Sequence, residues 1–314
     1  MNIWEFLGLP ATHRPASKTT MLVRHWREVS SSNIKFPYAA QLKVDGVHAL
    51  VVIHQGEAAV FTRTGNLMTN VQVVLSSVAF AQDGVYMGEL TSSAPHTLEE
   101  LSGVINPNRK EPLDWYGQAQ ADGLFVQWFD WVPIGSFISG STKGNWEARY
   151  EQLKLRLADT EAHANILPFT LIHDESARLS FAKSCIDADE EGAVFRELTS
   201  GWEAGHKNWK IMKEVRDISY DLLCVGIEEG KGKYLGKVAN LLMQWKGGEV
   251  LPCMLGLGWS HVDAERLFIA TKRNTQDSPI GKVYRVTALK DSSKGKLRLP
   301  KVREHRHDKV EGDF

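Results

Sequence analysis

The sequence is poor in cysteine. Its 314 residues include three, Cys185, Cys224 and Cys253, and none belongs to a CxxC pair. An odd number of widely spaced cysteines argues against a disulfide scaffold, and the lack of CxxC pairs argues against a thiolate zinc site. We therefore expect a protein of a reducing, intracellular compartment.

Long apolar runs are also missing, and no segment is long enough to cross a bilayer. The start, "MNIWEFLGLPATHRP", lacks the basic stretch and apolar core of a secretion signal. Internal repeats and low-complexity tracts are absent too. Hydrophobic residues make up 43% and charged residues 24%, which is ordinary for a globular protein. The sequence predicts no membrane association and no disorder outside the termini.

The whole chain has no large excess of one charge, since its net charge is −1. Its two parts, however, differ in charge. Residues 1–200 hold 16 basic and 23 acidic side chains, and residues 201–314 hold 21 and 15. Ten basic and three acidic residues lie between positions 282 and 309. A basic end is consistent with binding to a polyanion and equally with a solvated tail.

The length favours two domains. From about residue 217, short apolar segments alternate with glycine-rich turns, a pattern typical of a small β-barrel. We place the boundary between domains 1–216 and 217–314. Residues 1–35 carry no motif, and their role stays open.

Local signals predict several elements. Capping patterns predict helices after Thr97, Asn145 and Ser260. A further helix is expected within 66–80. Strands are expected in segments rich in β-branched and aromatic residues: 39–63 with a turn at "HQGE", 84–91, 123–132, 191–197, 208–215, 281–289 and 296–305.

The stretch "QLKVDGVHALVV", residues 41–52, places a lysine and an aspartate at the mouth of an apolar strand. On a strand, Lys43 and Asp45 share one face, which taken alone is most simply a solvated face. Polar or aromatic residues recur at other strand ends: Arg63, Glu89, Phe129 with Asp130, Glu191, Lys210, Lys213, Arg306, Asp308 and Lys309. Together they offer a nucleophilic amine, carboxylates for a metal, an aromatic face for a base, and cations for phosphates.

This ordered set resembles the ATP-dependent DNA ligases, which belong to the covalent nucleotidyltransferases. "KVDGVH" (43–48) is similar to the nucleophile motif KxDGxR. The other similar segments, in order, are "TRTG" (62–65), "YMGEL" (86–90), "WFDWV" (128–132), "EGAVFR" (191–196), "WKIMKE" (209–214) and "LRLPKVREHRHDK" (297–309). The resemblance implies an α+β fold: a nucleotidyltransferase domain of ATP-grasp-like antiparallel sheets with helices, followed by a C-terminal OB-fold β-barrel. It is closest in kind to the minimal two-domain phage or viral ligases, in a bacterial or phage-infected cytoplasm.

By this resemblance, Lys43 attacks the α-phosphate of ATP and forms a lysyl-AMP, which requires a neutral amine. Asp45 supports the nucleophile, while Lys213 and Lys210 neutralise phosphate oxygens. The remaining nucleotide-binding and metal-binding assignments are Gln41 at the base edge, Arg63, Glu89 at the ribose, Phe129 stacked on adenine, and Glu191 with Glu89 at Mg²⁺ or Mn²⁺.

The resemblance also assigns residues of the second domain and the partner. Arg306, Asp308 and Lys309 are expected to close over ATP and orient pyrophosphate. The partner is nicked double-stranded DNA, held by a monomer through His48, Arg298, Lys301 and Arg303 with little sequence preference.

Two positions depart from the family pattern. His48 replaces the usual arginine and lacks its bidentate fork. Lys210 and Lys213 are three apart, whereas the family motif KxK places both lysines on one strand face; a bulge could restore both. Otherwise Lys213 alone takes the role, with Lys207 as a spare candidate.

Two other functions stay open. One is an RNA ligase or a GTP-using mRNA-capping enzyme, distinguished by base preference and substrate. The other is an inactive relative that binds DNA but catalyses no reaction. His48 and the spacing of Lys210 and Lys213 support this alternative.

Overall fold

The fold is known from a computed structural model that describes residues 1–216, 218–256, 258–288 and 296–314. The chain divides into two compact units, Met1–Val215 and Arg216–Phe314. Each unit is described by itself below.

The first unit contains seven helices and eleven strands among its described residues. The helices are α1 Ile3–Phe6, α2 Gln72–Ser77, α3 Leu98–Val104, α4 Trp115–Asp122, α5 Ile134–Ser139, α6 Trp146–Leu157 and α7 Glu175–Asp187. The strands are β1 Leu22–His25, β2 Tyr38–Leu42, β3 Val47–His54, β4 Glu57–Thr62, β5 Gly84–Ser92, β6 Leu124–Val132, β7 Ser141–Thr142, β8 Thr170–Ile172, β9 Gly192–Glu197, β10 Trp202–Glu203 and β11 Lys207–Val215.

Two sheets form the body of this unit. One has the strand order β4-β3-β5-β6 and the other β1-β11-β9-β2-β8, while β7 and β10 form a separate ribbon. Successive side chains of strand β3 point to opposite faces of its sheet. Both faces are buried, each against a different layer. Leu50 and Val52 join a core with Val194 and Ile211 of the other sheet. The opposite face of β3 packs with side chains from α2, α3 and α6.

The link between β2 and β3 carries the chain from one sheet to the other. Strand β2 ends at Leu42, so Lys43 and Asp45 lie in the link and not inside a strand as the sequence suggests. Gly46 passes close to β5: a Cβ there would lie 2.5 Å from the Leu90 carbonyl oxygen and 2.8 Å from Cγ of Glu89. Only glycine fits this approach without a shift.

The second unit is a closed five-stranded barrel. Its strands are β12 Ile218–Glu229, β13 Val238–Gln244, β14 Val250–Leu255, β15 Val283–Ala288 and β16 Lys301–His305, and its helix is α8 His261–Lys272. The strand order is β12-β13-β14-β16-β15, and β12 pairs with both β13 and β15 to complete the ring. Strands β14 and β16 are parallel. The interior is apolar, with Leu222, Leu241 and Val302 among its buried side chains.

Several local predictions are confirmed. Asn145 caps α6, and Thr97 and Ser260 form capping boxes before α3 and α8. The helix expected within 66–80 is shorter, since α2 spans Gln72–Ser77. The last strand, predicted for 296–305, begins only at Lys301. Residue 289, the end of the strand predicted for 281–289, lies outside the described residues. No helix in the described parts of the chain is long and apolar enough to span a membrane.

Candidate active site

Lys43 is held in place by its backbone N–H and by the amine at the end of its side chain. Its backbone N–H donates to the Gly192 carbonyl oxygen at 2.9 Å, which continues the pairing of β2 with β9. Its Nζ donates to Oε2 of Glu191 at 2.7 Å, and both side chains are partly buried, with exposed fractions of 21% and 17%. The amine therefore has a defined position beside a carboxylate at the rim of a pocket.

The pocket is lined by side chains from both sheets: Val23, Gln41, Leu42, Lys43, Val44, His48, Glu89, Phe129, Leu167, Val194 and Arg196. Gln41 is buried, donating from Nε2 to the Leu167 carbonyl oxygen at 3.0 Å and accepting from Nε of Arg196 at 3.1 Å. The Arg196 guanidinium lies 4.6 Å from the centre of the Phe129 ring. One aromatic face is therefore covered by a cation.

His48 and Glu89 are direct cross-strand neighbours on β3 and β5. Burial raises the pKa of the Glu89 carboxyl to about 7, with Lys43 opposing the shift and Glu191 adding to it. Burial also lowers the pKa of His48 to about 3, helped by the cations Arg63, Arg196 and Lys43. His48 is thus neutral at physiological pH, and its buried Nδ1 has no hydrogen-bond partner among the described residues. His48, which the resemblance assigns to nucleic acid, lines the same pocket as Lys43.

The two lysines of "WKIMKE" lie in different surroundings. Lys213 pairs with Val194, which pairs with Gln41 on its other side, so the three point to the same face of the sheet. Ile211 precedes Lys213 on that face and is buried in the core. Lys210 instead lines a separate pocket with Ser141, Thr142 and Asn208, among others.

An irregularity in β11 accompanies this separation. Leu22 pairs with Lys207 but Arg24 pairs with Met212, so extra β11 residues are accommodated between the two pairs. A bulge is thus present, but it does not place Lys210 among the residues that line the pocket at Lys43. The spare candidate Lys207 lies 4.0 Å from Glu28 in a partly exposed ion pair.

Arg63 and Asp45 are close enough to influence the pocket electrostatically. Arg63 is exposed just after β4, and its charge lowers the pKa of both His48 and Glu89. Asp45 raises the pKa of Glu89.

The carboxylates of the site fit a hard cation with few protein ligands. Glu191 is close enough to Glu89 for its charge to raise the pKa of that carboxyl. Within residues 1–216, 218–256, 258–288 and 296–314, no three His, Cys, Asp or Glu side chains cluster as metal ligands. Mg²⁺ commonly binds one or two carboxylates and completes its shell with water and phosphate oxygens.

In the barrel unit, Arg306 and Lys309 of "RHDK" converge on Asp221, a carboxylate that was not predicted from the sequence. Arg306 donates to both oxygens of Asp308, at 2.8 and 2.6 Å, and to Oδ2 of Asp221 at 2.5 Å. Lys309 lies 2.7 Å from the same Asp221 oxygen, and Arg285 lies 3.4 Å from Oδ1. Asp221 on β12 thus anchors these cations.

The other basic candidates lie on or just before β16. Nζ of Lys301 contacts Sδ of Met254 at 3.4 Å, and Arg303 donates to Oγ1 of Thr287 at 2.7 Å. Arg298 is half-buried in the segment before the strand.

Sequence reasoning missed two participants in the pocket. Arg196 ends the quoted segment "EGAVFR" but was given no role, although it touches both Gln41 and Phe129. The Leu167 carbonyl oxygen accepts from Gln41 and from the Tyr150 hydroxyl, and a backbone acceptor leaves no signal in residue type.

Comparison with known proteins gives sequence relatives at low identity. No protein-family model matches the chain. A DNA ligase of Pyrobaculum arsenaticum is 23% identical over 244 residues, which are 73% of this chain and 41% of the relative. A DNA ligase of Cenarchaeum symbiosum is 24% identical over 257 residues, 75% of this chain and 43% of the relative. The chain thus spans less than half the length of these relatives.

Solved structures are similar over nearly the whole chain. Pmar-Lig_Pre has a TM-score of 0.74 and 20% identity, and covers 92% of this chain and 68% of its own. A Lig E DNA ligase gives a TM-score of 0.68 at 15% identity, covering 91% and 98%. The ATP-dependent DNA ligase of bacteriophage T7 gives 0.53 at 14%, covering 92% and 98%.

These likenesses define a mixed α/β protein with the fold of the nucleotidyltransferase-type ligases. The resemblance to the ATP-dependent DNA ligases, indicated by the motifs, is confirmed by relatives named DNA ligase and by solved ligase structures with a similar fold, one of which is an ATP-dependent DNA ligase.

Proposed function

We propose that the chain is an ATP-dependent DNA ligase that seals nicks in duplex DNA. The observation that carries the proposal is the Lys43 amine, 2.7 Å from the Glu191 carboxylate at the rim of a pocket lined by Gln41, Phe129 and Arg196. Relatives named DNA ligase support the same reaction. Residues 1–216 are then the adenylation domain.

In the first step, Nζ of Lys43 attacks the α-phosphorus of ATP, a P–N bond forms, and the bond to pyrophosphate breaks. Glu191 lies within hydrogen-bond reach of the amine, where it can take the proton that Lys43 must lose. Lys213, on the sheet face of Gln41, is assigned to the phosphate oxygens. Mg²⁺ or Mn²⁺ held by Glu191, with Glu89 near it, would supply charge neutralisation.

The adenosine is assigned to the rest of the pocket. Adenine is assigned to a stack on Phe129, which lines the pocket, and Gln41 to its edge. Glu89 accepts from a ribose hydroxyl. In the second step a 5′-phosphate oxygen at the nick attacks the lysyl-AMP phosphorus and frees the Lys43 amine. In the third, the 3′-hydroxyl attacks the 5′-phosphate and AMP leaves.

We propose further that the barrel unit is an OB-fold. A helix lies between its third and fourth strands, and the strand order β12-β13-β14-β16-β15 closes a five-stranded Greek-key ring. Its cations Arg298, Lys301 and Arg303 are assigned to duplex phosphates. Arg306, Asp308 and Lys309 are assigned to the pyrophosphate step.

The test is a two-stage assay. The protein is incubated with Mg²⁺ and ATP or GTP labelled in the α-phosphate, and the labelled protein is then chased with nicked DNA or nicked RNA. Labelling by ATP and discharge into a sealed DNA strand are expected. Labelling by GTP, or discharge by RNA alone, would identify an RNA ligase or capping enzyme, and no labelling would indicate a DNA-binding relative.

A further inference from the structure

A second pocket of about 360 Å³ lies in the first unit beside the ribbon β7–β10, and the reaction steps above do not use it. Its lining residues are Met21, Ser141, Thr142, Lys143, Gly201, Trp202, Glu203, Asn208 and Lys210. It shares no lining residue with the pocket at Lys43. The two pockets are therefore separate sites of the same unit.

The second pocket is rich in hydrogen-bond donors and positive charge. Neither the Lys143 nor the Lys210 amine has a carboxylate partner among the described residues. Trp202 is buried, and its indole Nε1–H has no hydrogen-bond acceptor among the residues that the structure describes. The single acidic lining residue, Glu203, lies 3.4 Å from the His206 ring. Hydrogen-bond donors and positive charge of this kind are suited to binding an anion.

The walls of this pocket are built rigidly. Arg149 is buried and forms a two-pronged ion pair with Asp130, at 2.9 and 3.0 Å. Its third nitrogen, Nη1, donates to the carbonyl oxygens of Gly144 and Ser200, which flank the two strands of the ribbon. Gly201 lets the strands approach, because a Cβ there would lie 2.4 Å from the Thr142 carbonyl oxygen. Lys143 therefore projects from a braced segment.

We propose that this pocket binds a phosphate group of the nucleic-acid backbone. The proposal rests on the proposed function, which supplies two sources of phosphate, the DNA duplex and the triphosphate of ATP. We assign the duplex because the pocket shares no residue with the one at Lys43. Lys143 and Lys210 supply the charge, and the Ser141 and Thr142 hydroxyls and the Asn208 amide supply further donors.

The test uses Lys143→Ala and Lys143→Glu in the full chain. The matched control is Lys110→Ala and Lys110→Glu, since Lys110 is an exposed lysine of the same unit without an ion-pair partner in the described chain. Covalent labelling by ATP is measured without DNA, and the Kd for a nicked duplex is measured across a salt series. We expect unchanged labelling, weaker DNA binding for both Lys143 variants, and a salt slope smaller by about 1 for Lys143→Ala.

A second measurement locates the phosphate. Single backbone phosphates of the duplex are replaced by uncharged methylphosphonates. At the position bound by this pocket, the replacement weakens binding by the wild type but not by Lys143→Ala, because the interaction is already lost.

The outcomes separate the two proposals. A wild-type protein that is not labelled by ATP contradicts the proposed function, while the DNA-binding comparison still decides on the pocket. Wild-type affinity and salt slope in Lys143→Glu would overturn the pocket assignment. A raised KM for ATP with unchanged DNA binding would overturn it as well, in favour of the triphosphate.

Discussion

The Nζ of Lys43 and Oε2 of Glu191 lie 2.7 Å apart although the two residues are 148 positions apart in the chain. The contact is possible because β2 and β9 are antiparallel neighbours in one sheet, so that Lys43, just after β2, lies beside Glu191, just before β9. We expect Glu191→Gln, which keeps the shape but removes the charge, to slow covalent labelling by ATP by about 100-fold. The rate of labelling at saturating ATP measures this effect.

The matched control for Glu191 is its neighbour. Glu190→Gln removes an exposed carboxylate one residue away and should label at the wild-type rate. Equal rates for Glu191→Gln and the wild type would show that the ion pair has no part in the first step.

Gly46 gives a prediction about stability. Gly46→Ala forces a Cβ against the Leu90 carbonyl oxygen and the Glu89 side chain, so β3 and β5 must separate locally. We expect a loss of about 1–3 kcal/mol in the free energy of unfolding, measured by urea denaturation. Gly103→Ala is the control, because Gly103 lies in α3 with nothing within 4 Å and should be neutral or slightly stabilising. Equal effects of the two substitutions would contradict the close approach.

Glu89 makes stability depend on pH. Its folded-state pKa of about 7 lies above the ordinary value of 4.5, so the folded protein binds more protons than the unfolded chain between these values. The free energy of unfolding therefore falls as pH rises from about 4.5 through 7, by at most about 3 kcal/mol from this residue.

Urea titrations of the wild type and Glu89→Gln from pH 4 to 8 measure this contribution as a difference. The advantage of the wild type over the variant should shrink as pH rises through the window. The depressed pKa of His48 acts in the opposite direction but is common to both proteins. A difference that stays constant with pH would mean that Glu89 is not desolvated.

Asp221 gives a prediction for the barrel unit. Asp221→Asn removes the charge that Arg306 and Lys309 share, and we expect a loss of about 2 kcal/mol in unfolding free energy. Glu304→Gln breaks an exposed ion pair with Arg285 and should cost less than about 1 kcal/mol. An Asp221→Asn protein as stable as Glu304→Gln would show that the anchor is weak.

The site residues that could be predicted from the sequence are those that lie close together in short sequence segments. Gln41, Lys43 and His48 lie within eight positions, and the short link between β2 and β3 carries them to one pocket. Glu89 and Phe129 follow from strand patterns that the structure reproduces in β5 and β6.

The parts that sequence could not predict depend on long-range packing. The three-residue spacing of Lys210 and Lys213 already predicts opposite strand faces, but it could not predict that Lys210 lines a second pocket together with Ser141 and Thr142. Arg196 and Asp221 gain their roles from partners 155 and 85 positions away, Gln41 and Arg306. Helix α7 was also not predicted, although Asp174 caps it.

The most direct measurement is the site of adenylation. The protein is incubated with ATP and Mg²⁺, digested, and its peptides are weighed by mass spectrometry. We predict one AMP group on the peptide that contains Lys43, and no adduct in Lys43→Ala. An unmodified Lys43 peptide, or an AMP group on another residue, would contradict the assignment of Lys43 as the nucleophile.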